Sequence, residues 1–128
     1  MKSWRYRGVL GIICLMGLLL LCQVWPAGAQ AGAPAQGKPA LYEFGAKYCI
    51  PCKEMKVVMA ALKTSHGDQV EFRMVYVDEE KPLFGEYKIV AIPTQVFLDA
   101  SGKEVDRHMG ALSKEAVIQK LKDLKFIQ

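Results

Sequence analysis

Cys49-Ile50-Pro51-Cys52 sits at a change of periodicity. Before it, the apolar run Leu41-Tyr42-Glu43-Phe44 has the character of a buried strand. After it, Met55, Val58, Met59 and Leu62 recur at i, i+3, i+4 and i+7 within Lys53 to Lys63, the spacing of a helix with one core face. The strand hands over to the helix at the cysteines, so Cys49 is expected just outside the helix start. Unsatisfied backbone N–H groups and the positive end of the helix dipole favour an anion there, which lowers a thiol's pKa. Pro51 suits the first helical turn, where its missing N–H costs nothing. Two cysteines at this spacing can close a small disulfide, open it, or bind a metal.

Working outward, the N-terminal third reads differently. Lys2, Arg5 and Arg7 precede an uncharged apolar stretch, Gly8 to Trp25, which ends in Pro26 and the small residues Ala27-Gly28-Ala29. This is the pattern of a secretory signal peptide over residues 1–29. Cleavage after Ala29 leaves 99 of the 128 residues, enough for one compact core. The alternatives are a retained N-terminal membrane anchor, since the run approaches the length of a bilayer span, and lipidation at Cys22. All three place the domain outside the cytoplasm, most simply in a bacterial periplasm. Residues 30–39, rich in Gly, Ala, Pro and Gln, read as a flexible linker, with the folded domain over 40–128.

Removing that segment changes the charge and the cysteine count. Of 17 Lys and Arg, Lys2, Arg5 and Arg7 go with it, leaving 14 against 13 acids, so the basic balance belongs largely to the N-terminus. No basic run is interleaved with aromatics, and no nucleic-acid partner is expected. Cys14 and Cys22 also go, so the domain keeps only Cys49 and Cys52. A pair this close staples almost nothing, and its disulfide is chemical rather than structural. Structural zinc needs four ligands, and only His66 and His108 are left, at spacings unlike zinc sites. Lys53 after the second cysteine removes the haem-attachment pattern. No metal or cofactor is expected. Both histidines read as solvated surface residues, and the helical methionines as core filler.

The rest of the domain alternates strand and helix. Gly67 caps the first helix, Val70 to Asp78 forms a second strand, and Glu79 to Lys88 is a short helix or irregular turn interrupted by Pro82 and Gly85. Thr94 to Leu98 and Lys103 to Met109 pair as a hairpin across Asp99-Ala100-Ser101-Gly102. Ser113 caps a last helix whose Val117, Ile118, Leu121 and Leu124 face the core. The order β-α-β-(α)-β-β-α implies an α/β domain with parallel early strands and an antiparallel hairpin.

Three landmarks in this order, Cys49-Ile50-Pro51-Cys52-Lys53, Ile92-Pro93-Thr94 and Gly110-Ala111-Leu112-Ser113-Lys114, resemble the thioredoxin-fold family over roughly Ala40 to Leu124. The resemblance implies a central mixed four-stranded sheet flanked by helices, without the N-terminal strand and helix of full-length thioredoxin. It is similar to extracytoplasmic members such as the C-terminal domain of DsbD-type reductases and the TlpA-like reductases. It implies a thiol–disulfide oxidoreductase with a redox disulfide between Cys49, the nucleophile, and Cys52, the resolving thiol. Glu43 matches the family's buried acid beneath the second cysteine, able to relay a proton. Met74 stands where the family commonly has a lysine beside that acid. Tyr48 and Gly45 replace tryptophans. Tyr48, Ile50, Pro51, Ile92, a cis Pro93 and Thr94 would form the substrate-binding rim, where a partner peptide can add as a strand. The expected partners are protein thiols and disulfides, with a membrane redox donor and the domain as a monomer. Ile50-Pro51 carries no charge and no donor, which favours a reductase or electron relay over a disulfide-forming oxidant. A non-catalytic binding module with a static disulfide is the alternative.

Overall fold

The computed structural model describes residues 37–128. The expectations for a signal peptide, an anchor or a lipid at Cys22, for most of the linker, and for a missing first strand and helix fall outside the described residues. Seven elements follow in order: β1 (Ala40–Gly45), α1 (Ile50–His66), β2 (Glu71–Tyr76), α2 (Lys81–Glu86), β3 (Thr94–Leu98), β4 (Glu104–Met109) and α3 (Lys114–Asp123). The strands form one mixed sheet in the order β2-β1-β3-β4. β1 runs parallel to β2 and antiparallel to β3, and β3 pairs antiparallel with β4.

The two central strands explain the apolar runs. β1 and β3 are buried along their whole length, because helices cover both faces of the sheet. Side chains alternate between the faces. Leu41 and Phe97 join Met55, Met59 and Leu62 of α1 and Val117 and Leu121 of α3 in one core. Tyr42, Phe44, Val96 and Leu98 join Val75 of β2 and Leu83 of α2 in the other. The methionines are core residues, as their spacing indicated. Each such side chain contributes about 1.5–3 kcal/mol by burial.

α2 is a regular short helix. Pro82 lies in its first turn, where no N–H is needed, and so starts the helix rather than interrupting it. Phe84 and Tyr87 anchor it against Phe44, with ring centroids 5.1 and 5.3 Å away. β4 is an exposed edge. Glu104 and Arg107 form an ion pair along it, at 2.7 Å, and such charges discourage pairing with another chain. The hairpin turn is held by Asp99, whose Oδ1 accepts from the N–H groups of Ser101 and Lys103 at 2.8 and 3.1 Å. Gly102 supplies the positive φ of 84° that turn requires. Ser113 caps α3 by accepting from the N–H of Ala116 at 3.2 Å. His66, the last residue of α1, and His108, in β4, are half-buried.

Candidate active site

The site forms where β1 ends and α1 begins. Cys49 is the N-cap residue of α1, with extended backbone at φ −79° and ψ 120°. Its Sγ accepts from the N–H of Cys52 at 3.3 Å, the place an oxygen occupies in an ordinary cap. The sulfur therefore sits at the positive end of the helix, as the periodicity implied. Cys49 and Cys52 are joined in a disulfide. Cys49 is half-buried, whereas Cys52, one turn in, is only 2% exposed. The two sulfurs differ in access, the asymmetry that an attacking and a resolving thiol need.

Gly45 explains how the strand reaches the helix so closely. A Cβ on Gly45 would lie 3.1 Å from Cys52 Cβ and 3.2 Å from its Sγ. A bare backbone therefore presses against the buried sulfur. Two residues earlier, on the same face of β1, lies Glu43. It is fully buried, and β1 is an interior strand, so its carboxyl has no route to solvent along an edge. Gln95 Nε2 donates to Glu43 Oε2 at 2.8 Å. Burial pushes the Glu43 carboxyl up to about 8, against a smaller downward pull from that hydrogen bond. Met74 lies opposite Glu43 on β2, so no cation meets the acid from that side.

The register brings the other landmarks to the same end of the sheet. Phe44 pairs with Thr94, which places Pro93 and Ile92 beside the end of β1 and the start of α1. The Ile92–Pro93 peptide bond is cis. Pro93 is buried, and its carbonyl accepts from the N–H of Gly110 at 2.8 Å, which ties the loop to the end of β4. Thr94 is buried too, and its hydroxyl donates to the Ala91 carbonyl at 2.7 Å. Its side chain therefore shapes the loop. Tyr48 at 91% and Ile50 at 73% exposure present apolar surface around the disulfide, with Pro51 exposed beside them. Ile92, at 39% exposure, and Val90 add to the exposed apolar surface on the loop before Pro93. Lys47, beside the site in sequence, is engaged by Asp78 and Glu79 at 3.5 and 2.5 Å.

Gln95 is the site residue that the sequence reading passed over. A signal was present: it is the one amide in the apolar run of β3, and it shares the face of Phe97. Nothing local, however, says which residue of β1 it meets.

A cap made by a cysteine, a closed disulfide one turn into the helix and a buried acid on the adjoining strand define a thioredoxin-like domain. The chain belongs to the thioredoxin family, whose model matches residues 32–123. It is 35% identical over 96 residues to the thiol:disulfide interchange protein TxlA homologue of Synechocystis sp., covering 73% of this chain and 53% of that protein. It is 34% identical over 88 residues to the thioredoxin of Mycolicibacterium smegmatis, covering 67% of this chain and 78% of that one. The structure of Fasciola hepatica thioredoxin superposes with a TM-score of 0.62 at 32% identity, covering 69% of this chain and 82% of that one. The chain spans about half the length of the TxlA proteins that it matches.

Proposed function

We propose that this protein is a thiol–disulfide oxidoreductase that reduces, or relays electrons to, disulfides of protein partners outside the cytoplasm. The observation that carries this reading is the position of Cys49 Sγ as the cap of α1, bonded to a nearly inaccessible Cys52. In the reduced protein the Cys49 thiolate attacks one sulfur of a partner disulfide and releases the other as a thiolate. Cys52 then gives its proton to Glu43 in the molecules where that carboxyl is ionised, the smaller share at pH 7 because burial raises it to about 8, and attacks Cys49 Sγ. The intramolecular disulfide closes and the partner leaves reduced. The cycle restarts when a dithiol donor, held at the membrane, reduces the pair. The apolar rim of Tyr48, Ile50 and Ile92 receives an extended apolar segment of the partner beside Cys49.

Direction follows from what surrounds the sulfurs. Ile50 and Pro51 bring neither charge nor donor, and Lys47 is occupied by two carboxylates. Between the cysteines the helix end is what stabilises the thiolate, so the pair is a milder oxidant than one with a cation there. Export is supported by Lys2, Arg5 and Arg7 ahead of the apolar run from Gly8 to Trp25.

The test is reduction of insulin by the full chain with dithiothreitol. Cys49→Ser is expected to fall to the rate of dithiothreitol alone. A Cys49→Ser protein as active as its parent removes the enzymatic reading and leaves a binding module. Cys52→Ala is expected to accumulate mixed disulfides in the cell envelope, and their recovery from the cytoplasm instead would overturn the location.

A further inference from the structure

Glu43 and Gln95 are both fully buried, yet each keeps one oxygen without a hydrogen-bond partner: Glu43 Oε1 and Gln95 Oε1. Buried polar atoms are rarely left so, and two orphans on one interacting pair call for a common cause. Both are acceptors while Glu43 is ionised, and two acceptors cannot satisfy each other. One proton resolves both. A carboxylic acid is also a donor, and a primary amide has a donor and an acceptor side by side. With the Gln95 Nε2–H already on Glu43 Oε2 at 2.8 Å, the two unpartnered oxygens belong to the same pair of planar groups, one able to donate when the acid is protonated and the other able to accept.

We propose that Gln95 is a positioning residue of this site. With a protonated Glu43 it closes an acid–amide ring, Nε2–H to Oε2 and Oε1–H to Oε1, that stores the proton of Cys52 while the disulfide is closed. This rests on the exchange reading above and adds the residue that governs its proton. The balance is simple. Cys52 loses its proton to Glu43 as its sulfur bonds to Cys49, and the partner leaves with the electron pair of the broken mixed disulfide. When a dithiol donor reopens the pair, the stored proton returns to the Cys52 thiolate.

The surroundings agree. Across the sheet, the row through Glu43 runs from Met74 on β2 to Gln95 on β3 and His108 on β4. From α1, Cys52 approaches the adjoining row at Gly45. Among these, Cys52 is held in the disulfide, and His108 lies beyond Gln95 at the sheet edge. Asp106, two residues from His108, is engaged by Lys120 of α3 at 2.5 Å. Burial and the Gln95 bond are the two influences acting on Glu43, with no charged neighbour among them. With Met74 on one side and no cation, the acid has as its partner an amide that can bind either of its forms.

The test is the oxidised-minus-reduced infrared spectrum of the full chain at pH 7, with Glu43→Gln and Gln95→Leu beside the parent. The oxidised parent should show the carbonyl band of a protonated carboxyl, and Glu43→Gln should lose it. Gln95→Leu should move it to higher wavenumber, as the acid loses both partners. A Gln95→Leu band at the parent's position, or no such band in an oxidised parent that still reduces insulin, overturns the ring while leaving the exchange reading intact. An active Cys49→Ser protein removes that reading itself. Should Gln95→Leu fail to fold, the parent decides by nuclear magnetic resonance. The Gln95 side-chain amide nitrogen should titrate in the oxidised protein with the same midpoint as the Glu43 carboxyl carbon. Independent behaviour of the two overturns the proposal.

Discussion

The two faces of β1 are built to different rules. One face presents Tyr42 and Phe44 to an apolar core shared with Val75, Leu83, Val96 and Leu98. The other presents Leu41 to the larger core, then Glu43 and Gly45 towards the disulfide. The first face is filled, and its aromatic rings meet edge-on or tilted at 5.1 to 6.1 Å. The second gives up packing near the site, with a charged residue type in one position and no side chain in the next. One strand therefore anchors the domain on one side and tolerates poorly solvated chemistry on the other. A buried acid costs stability, which the apolar packing of the opposite face offsets.

The largest expected difference between the faces is in pH dependence. The Glu43 carboxyl is raised from its ordinary 4.5 to about 8 in the folded protein. Above pH 4.5 the unfolded chain sheds this proton while the folded one keeps it. Stability contributed by the neutral acid is therefore complete below that pH and is lost as pH rises to about 8. The loss amounts to as much as about 5 kcal/mol. Urea unfolding at pH 5 and pH 9 should show this slope in the parent and a much flatter one in Glu43→Gln. Equal slopes would mean that the acid is already ionised when buried. On the opposite face, Phe44→Ala should cost about 3–5 kcal/mol at either pH, with no added slope. A pH-dependent cost there would show that the two faces are coupled.

The smallest effect sharpens the boundary between them. A Cβ at Gly45 meets Cys52 at 3.1 Å, tight enough that the neighbour must give by a few tenths of an ångström. Gly45→Ala should therefore cost about 1–3 kcal/mol in stability. It should also slow closure of the intramolecular disulfide, seen as longer-lived mixed disulfides in stopped-flow mixing with an oxidised partner. Unchanged closure with unchanged stability would show that the strand simply moves aside.

Much of this molecule was legible one segment at a time. The helix after the cysteines, its cap at Cys49, the hairpin around Asp99 and Gly102, and the cap at Ser113 rest on neighbours a few residues apart. Periodicity and capping chemistry report such neighbours directly. The odd acid in an apolar strand was visible as well, because a carboxyl among Leu41, Tyr42 and Phe44 breaks the pattern it sits in. Pro82 reads two ways in the sequence, since a proline starts a helix in its first turn and interrupts it further in, and the folded chain puts it in the first turn of α2. The inward turn of the Thr94 hydroxyl to the Ala91 carbonyl was not legible, because it depends on the folded loop.

What the chain order alone established was the succession of elements and the sulfur at the mouth of the first helix, since both are set by local spacing. Only the folded sheet decided that Glu43 would meet Met74 on one side and Gln95 on the other. Those partners come from strands 31 and 52 residues along the chain. Their meeting depends on strand register, which no single segment encodes. A shift of one residue would have turned the amide to the opposite face and left the acid alone.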